Sequence, residues 1–332
     1  MNKIENSSVL VTGGAGFIGS NLVDRLLSQN NKVVCLDNFS TGFESNLTQA
    51  KNNKNFTLIK GDIRDIKTCH LACENVDVVL HQAALGSVPR SIVDPITTNE
   101  VNITGFVNIL IAARDAKVKR VVYAASSSTY GDSHKLPKLE DEIGKPLSPY
   151  AITKYVNELY ADVFSKTYKM EIIGLRYFNV FGPRQTPDGA YAAVIPLFVK
   201  QLINKNSPVI NGDGTFSRDF TYIENVIQAN QLAATTNSPK AINTVFNVAY
   251  GAKTSLNELI ALLKKYLEPY ISEVKNVEIA YGSERLGDIP HSLASIEKAS
   301  KLLDYKPTHN IEQGLKEAIH WYWTSLNENQ LK

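Results

Sequence analysis

Three glycines spaced three residues apart constrain this chain more than any other feature. VLVTGGAGFIGSNL sets Gly13, Gly16 and Gly19 between a β-branched run and an amphipathic helical pattern, FIGSNLVDRLLSQ. Glycines so placed allow a tight turn, close approach of the backbone to a pyrophosphate, and close helix–strand packing. Phosphates would rest on the positive end of the helix that opens at Phe17 and Ile18. A glycine triplet alone is a weak sign, because glycine-rich turns are common, but its neighbours strengthen it. Asp37 ends the second strand-like run at about the 20-residue distance where a carboxylate takes ribose hydroxyls, with Asn38 behind it. That charge would repel a 2′-phosphate, so the expected cofactor is NAD rather than NADP. KGDI places Asp62 and Ile63 at the end of the third run, where Asp62 can reach an adenine amino group. HQAAL closes the fourth with Ala83 and Ala84, small enough for a cofactor to lie against the backbone. The competing reading is the same sheet with no dinucleotide bound.

The rhythm of the first half fits such a site. Strand candidates are SVLVTG (8–13), KVVCLD (32–37), FTLIKGD (56–62), VDVVLHQAA (76–84), RVVYAASS (120–127) and EIIGLRYF (171–178), with helical patterns between them. Nearly continuous apolar strands alternating with helices predict a parallel sheet covered on both faces. After about residue 180 the rhythm breaks at Pro183, Pro187, Pro196 and Pro208, with glycine-rich turns, helices and short strands near 245–250 and 277–281. The expected fold class is α/β: a doubly wound parallel sheet over residues 1–178, and a smaller C-terminal α/β substrate domain over 179–332. Some segments of the second are expected to return to the first.

Composition removes other classes. The formal charge of +2, with no block of like charges, gives no sign of a nucleic-acid partner. No stretch approaches the ~20 apolar residues of a membrane span. Three cysteines form no disulfide framework, and the N-terminus shows no signal-peptide pattern, so a cytoplasmic protein is expected. Cys69 and Cys73 share a helix face in CHLAC, but no second ligand pair stands at a zinc-site spacing, so no metal is expected.

SPYAITKY (148–155) raises a different question. Ser148 suits an N-cap and Pro149 the first helical position, which puts Tyr150 in the first turn and Lys154 one turn on, on the same face. A phenol titrates near 10 in water. A neighbouring ammonium, the helix N-terminus and a positively charged nicotinamide would favour the phenolate and make a general base. With 15 tyrosines in the chain, about one Tyr-x-x-x-Lys arises by chance, so spacing alone proves nothing. Context raises it: the pair follows a strand ending AASSSTYGD, and parallel strands present their C-terminal ends to the ligand crevice. Ser126 would then face the nicotinamide beside Tyr150. Read alone, Ser126, Ser127 and Ser128 are also consistent with a solvated strand end.

This constellation resembles the extended short-chain dehydrogenase/reductase family, and within it the nucleotide-sugar 4-epimerases, over essentially the whole chain. The resemblance implies a Rossmann domain, with TGGAGFIG as cofactor loop, Ser126, Tyr150 and Lys154 as the catalytic set, and Lys154 also on the nicotinamide ribose. LRYFNVFGP is similar to the segment whose Tyr-Phe lies against the nicotinamide, here Tyr177 and Phe178, and whose Asn meets the substrate diphosphate, here Asn179. In isolation it reads as a buried aromatic strand. INGDGTFSRDFTYIENV and RLGDIPHS resemble nucleotide-binding segments. They imply that Arg218 and Arg285 clamp the diphosphate and that Asp288 takes a ribose hydroxyl, although each arginine alone reads as a surface charge. YAAVIPLF puts Ala193 and Val194 beside a uracil. The family also implies a homodimer, built on helices near 95–115 and 149–168.

The sugar is read from the small residues. Ser292 stands two after the proline of the RxGDxP pattern, and a small side chain there leaves room for a 2-acetamido group. ALGSVPRS, with Gly86, Ser87 and Arg90, and Gln185 in GPRQTPDGAY resemble members acting on N-acetylated sugars, with Ser127 and Ser128 beside the sugar. The implied reaction interconverts UDP-N-acetylglucosamine and UDP-N-acetylgalactosamine by transient oxidation at carbon 4, supplying precursors for surface polysaccharide. A UDP-uronic acid or UDP-glucose/UDP-galactose remain alternatives, the first because Arg90 or His291 would suit a carboxylate. A 4,6-dehydratase would want Asp-Glu where Ser127 and Ser128 stand. From another class, a NAD-binding sensor without chemistry would not need Ser126, Tyr150 and Lys154 together.

Overall fold

The computed structural model describes residues 3–187, 193–284 and 289–328. The first half alternates strand and helix. Strands β1 (Ser8–Thr12), β2 (Lys32–Asp37), β3 (Phe56–Lys60), β4 (Val78–His81), β5 (Arg120–Ser126) and β6 (Ile172–Tyr177) are separated by α1 (Phe17–Ser28), α2 (Ile66–Cys73), α3 (Val88–Val93), α4 (Pro95–Asn99), α5 (Gly105–Asp115) and α6 (Pro149–Tyr168). The strands pair in parallel in the order β11-β6-β5-β4-β1-β2-β3, where β11 is Val245–Val248. The order reverses beside β1, so β1 and β4 flank the crevice in which an open parallel sheet takes its ligand.

Successive strand residues serve opposite faces. Val9 and Val11 enter the core cluster that also holds Leu22 and Leu26 of α1, while Leu10 between them enters the one that holds Phe106 and Leu110 of α5. On β5, Val122 joins the first, and Val121 and Tyr123 the second. This two-sided burial is why the strands read as apolar runs rather than alternations. Phe106 is fully buried between His81 and Tyr123, with ring centroids 5.4 and 5.1 Å away. Side chains of this kind contribute about 1.5–3 kcal/mol each on burial.

The C-terminal half does not stand apart. It contains β7 (Val180–Phe181), α7 (Val194–Ile203), β8 (Val209–Asn211), β9 (Ser217–Arg218), β10 (Thr221–Tyr222), α8 (Ile223–Thr235), β12 (Thr254–Ser255), α9 (Leu256–Leu267), β13 (Ala280–Gly282), α10 (Glu297–Leu303) and α11 (Ile311–Glu328). Its small strands pair β7 with β10, β9 with β12 and β8 with β13. Yet β11 lies beside β6 in the main sheet, and α8 packs on α1 and β5, with Glu224 joined to Arg25 at 2.6 Å. The sheet therefore runs across the 178/179 division.

One helix matters most for the site. Ser148 caps α6 by accepting from the Ala151 N–H at 3.1 Å, Pro149 opens it, and Lys169 ends it in the left-handed conformation. Its rotation on the sheet is set by Glu158. That carboxylate receives Arg176 of β6 in a fork, Nε to Oε1 at 2.8 Å and Nη2 to Oε2 at 2.7 Å, with both side chains buried. Residues 150, 154 and 158 share a helix face, so the ion pair also fixes the height of Tyr150 and Lys154. Removing one partner of such a pair leaves a buried charge uncompensated. Glu158→Ala should lower unfolding free energy by about 3–5 kcal/mol in chemical denaturation; a loss below about 1 kcal/mol, the range of an exposed pair, would show that the pair does not anchor the helix.

Candidate active site

The glycine loop is shaped by close approach. Gly13 has φ +68°, and a Cβ there would stand 2.7 Å from the Ala83 nitrogen; one on Gly19 would stand 2.1 Å from the Gly13 oxygen. Gly16 precedes α1 without a side-chain cap, so the first-turn N–H groups open onto the space beside it. That space is a cavity of about 430 Å³. Gly13, Gly16, Phe17, Ile18 and Gly19 form one wall, and Asp37, Asn38, Asp62 and Ile63 another. Ala83 and Ala84 form its floor edge, continuing to Gly86, Ser87 and Arg90. The Asp37 carboxylate is pinned by the N–H groups of Ala15 and Phe39, each at 2.8 Å. Asp62 is held by Arg64 and by the Asn38 amide at 2.9 Å; the Arg64 hydrogen bonds, ahead of the other contacts, pull its carboxyl down to about 2.

The catalytic candidates meet where β5 ends. Ser126 is the last residue of β5, in register with Tyr177 of β6. Its Oγ accepts from the Ser128 N–H at 3.2 Å and the Ser128 hydroxyl at 2.9 Å. Ser126 is near enough to the Tyr150 phenol to act on its titration, pulling its pKa down against the effect of burial. Tyr150 is placed by its backbone N–H, which donates to Ser91 Oγ at 3.0 Å. Lys154 is buried, donates to the Ala124 carbonyl at 2.8 Å, and is pushed down to about 8 by burial.

The expected lowering of the Tyr150 pKa is not produced by the chain's own groups. Burial raises it, and the Ser126 hydrogen bond pulls against that without prevailing. The Lys154 ammonium is turned to a carbonyl rather than to the phenol.

Two aromatic residues at the end of β6 are held by contacts distant in sequence. The Tyr177 hydroxyl donates to Gln82 Oε1 at 3.1 Å and accepts from Asn230 Nδ2 at 2.9 Å, and burial pushes it up to about 12. Gln82, not Tyr177, lines the cavity. Phe178 is fully buried against Tyr130, Ala249 and Ala294. The two rings enter different core clusters; Tyr177 reaches the cavity wall through its bond to Gln82, and Phe178 belongs to the core.

A second cavity, of about 310 Å³, is lined by Asn179, Val194 and Arg218, with Phe181, Phe198 and Phe220 as apolar walls. Gln185 and Ala193 line both cavities, which therefore adjoin. Arg218 donates to the carbonyls of Ser217 at 3.0 Å and Pro290 at 3.2 Å. Ser127 and Ser128 lie half-buried in the turn after β5. Ser292 is half-buried and tied by its N–H to the Ser217 carbonyl at 3.0 Å, and it lines neither cavity. Arg285 and Asp288 lie outside the described residues.

Several site residues are invisible to motif reading. Arg64 and Arg184 line or buttress the first cavity, Arg184 through an ion pair with Asp24 of α1 at 2.5 Å. His81 is buried, bonded to Thr12 Oγ1 at 2.8 Å, and pushed down to about 3, chiefly by burial and then by the Lys154 charge, so it is neutral. Because Ala83 N–H donates to the same Thr12 hydroxyl at 3.2 Å, His81 helps hold Ala83 against Gly13. Asn102, in a π-helical turn at Glu100–Thr104, accepts from the Leu85 N–H at 2.8 Å and donates to Thr153 at 3.1 Å, linking the cavity floor to α6. Arg64 leaves one signal, its position two residues after Asp62; the others depend on contacts distant in sequence.

A glycine-walled cleft at a helix N-terminus, a carboxylate at the end of β2 and small residues at the end of β4 fit a dinucleotide. Among the described residues no helix is long and apolar enough to cross a membrane. Comparison with known proteins agrees with this geometry. The profile of the NAD dependent epimerase/dehydratase family matches residues 9–249. The structure is similar to that of UDP-N-acetylglucosamine 4-epimerase from Methanobrevibacter ruminantium M1 in complex with UDP-N-acetylmuramic acid, with TM-score 0.90, 39% identity, and 97% and 100% of the two chains covered. It is also similar to UDP-glucuronic acid 4-epimerase from Bacillus cereus in complex with UDP-glucuronic acid and NAD, with TM-score 0.87, 31% identity, and 96% and 99% covered. The sequence is 35% identical to UDP-glucose 4-epimerase of Mycolicibacterium smegmatis over 94% of this chain and 97% of that one. On the match along residues 9–249 and these likenesses over nearly its whole length, the chain belongs to the NAD dependent epimerase/dehydratase family.

Proposed function

We propose that the protein is a UDP-sugar 4-epimerase that interconverts UDP-N-acetylglucosamine and UDP-N-acetylgalactosamine, supplying precursors for surface polysaccharide. The observation that carries the reaction is the convergence at the crevice end of β5 of Ser126, the last residue of that strand, with Tyr150 and Lys154 on one face of α6, Lys154 being bonded to the Ala124 carbonyl of the same strand.

The cofactor is NAD; when bound it supplies a hydride acceptor and donor together with a positive charge that favours the phenolate. Gly13, Gly16, Gly19 and Asp37 would hold it. Tyr150 as phenolate takes the proton from the sugar 4-hydroxyl and later returns it. Ser126, its lone pairs occupied by Ser128, donates to the same oxygen and carries the proton between the sugar and Tyr150. Lys154, fixed on Ala124, keeps the helix face in place and meets the ribose. Asn179, Arg218 and Arg285 hold the diphosphate, with Asp288 on the ribose, while the 4-keto sugar turns over between them. The enzyme thus needs a firm grip on the nucleotide and a loose one on the sugar.

The acetamido reading is supported by space. Apart from its chain neighbours, nothing lies within 4 Å of a Cβ added at Gly86, and Gly86, Ser87 and Gln185 are uncharged residues of the wall. Likeness to the Methanobrevibacter enzyme supports it too. A UDP-uronic acid is the second reading, favoured by the Arg90 guanidinium in the same wall.

A homodimer is proposed from exposed apolar surface. Ile152, Leu159 and Val163 make a stripe on α6, and Ile92, Val93 and Ile96 stand exposed on α3 and α4, which pack against α6. A patch of this kind marks an interaction surface, and a second copy would cover it.

Tyr150→Phe should keep its bound NAD and lose turnover by about 10²–10⁴-fold; ordinary activity in that variant would refute the assignment. Product analysis by NMR should show the N-acetylated UDP-sugars epimerised faster than UDP-glucose or UDP-glucuronate, and the reverse order would overturn the sugar. Ile152→Glu with Val163→Glu should give a folded monomer by light scattering where the unaltered protein is a dimer; an unchanged mass would reject that face.

A further inference from the structure

Asp219 lies in neither cavity, and it ties together the segments that carry the nucleotide ligands. It sits between β9 and β10 and is fully buried. Oδ1 accepts from the N–H groups of Tyr250 and Gly251, and Oδ2 from those of Gly251 and Ala294, each at 3.2 Å. Its own carbonyl accepts from Asn179 Nδ2 at 3.1 Å, and the Thr221 N–H returns to the Asn179 carbonyl at 3.2 Å. Three separate stretches meet at one residue: the turn after β11 through 250–251 and the segment at 294 on its carboxyl group, and Asn179, just past β6, on its backbone carbonyl.

The arrangement is costly for a group that does no more than fill the core. Burial raises the Asp219 pKa to about 7, and the groups that offset it are backbone N–H donors. A buried carboxylate met only by amides is harder to keep ionised than one with a cationic partner. What the carboxylate offers over a neutral side chain is two acceptor oxygens. An asparagine has one, and its NH₂ would face an N–H. Arg218 is its neighbour in the chain. The strand bearing Arg218 is bridged through Ser217 to His291, and the Arg218 guanidinium bonds the Pro290 carbonyl. Asn179 has φ +34°, a conformation disfavoured for a side-chain-bearing residue and here held from both ends by 219–221.

We infer that Asp219 is a positioning residue for nucleoside diphosphate binding: its carboxylate draws the Tyr250–Gly251 turn and Ala294 onto the β9–β10 segment and so sets Arg218 and Asn179 at the spacing a diphosphate requires. This rests on the reading of Arg218 and Asn179 as nucleotide ligands. It assigns Asp219 to affinity and leaves the chemical step to Tyr150 and Ser126.

The test is Asp219→Asn in the full-length, NAD-bearing protein, titrated calorimetrically with UDP alongside the unaltered protein. Bound NAD is measured after denaturation, and kcat and KM with the UDP-sugar. The inference predicts that the UDP Kd and the sugar KM both rise at least about tenfold, while NAD content and kcat at saturation stay within about twofold. An unchanged UDP Kd overturns it, as does a fall in kcat with the Kd unaltered. If Asp219→Asn loses its NAD, Asp219→Ser is measured in the same way; should that variant also lose NAD and cooperative unfolding, Asp219 is a folding residue and the inference fails. If the unaltered protein does not bind UDP, the nucleotide-sugar function itself falls, and this inference with it.

Discussion

A buried phenol resists losing its proton, and Tyr150 is in that position. Burial moves its pKa away from neutrality, Ser126 pulls back through one hydrogen bond, and Lys154 spends its ammonium on the Ala124 carbonyl. The same burial brings Lys154 down to about 8, which weakens it further as a source of positive charge at higher pH. The chain therefore holds the phenol ready without ionising it. A cationic ring seated on the glycine cradle beside it is the remaining charge that can favour the phenolate. In the proposed function, the base strength of Tyr150 is in this way conditional on an occupied cofactor site.

That condition is useful only if the phenol is accurately placed, and several elements share the placement. The fork between Arg176 and Glu158 sets the rotation of α6, Ser91 receives the Tyr150 N–H, and Asn102 joins Thr153 to the Leu85 backbone. His81 and Thr12 fix Ala83 where Gly13 can approach it. The result is a rigid cofactor side. On the substrate side the ligand candidates come from the end of β6 and the β9–β10 segment, joined by the Asn179 side-chain amide to the Asp219 carbonyl and by the Thr221 N–H to the Asn179 carbonyl. The asymmetry suits a reaction in which the sugar must turn while its nucleotide stays.

Much of this was legible in sequence because the relevant signals are short-range. The glycine triplet, Asp37, the Ser-Pro-Tyr opening of α6 and the i, i+4 pairing of Tyr150 with Lys154 are patterns within one turn, one strand or one helix. The alternation of apolar runs with helical patterns likewise gave the parallel sheet. What escaped reading depends on long-range contact. Nothing near Tyr177 announces that its hydroxyl meets Gln82 and Asn230, and nothing in SRDF separates Asp219 from an exposed carboxylate. The Val245–Val248 strand was visible as a strand, but only pairing with β6 reveals that it completes the main sheet. The direction of the Lys154 ammonium escapes for a related reason: proximity in a helix does not say where an ammonium points.

The central claim is that a hydrogen leaves carbon 4 of the sugar and returns to that same carbon from the opposite face, never entering water. A UDP-sugar carrying deuterium at carbon 4, turned over in ordinary water and read by NMR, tests it most directly. The account predicts that the epimer keeps its deuterium at carbon 4, with turnover slowed if that transfer limits the rate. Loss of the label to solvent would contradict it, because that outcome requires a proton-abstraction route in which Tyr150 and the dinucleotide site do not act together.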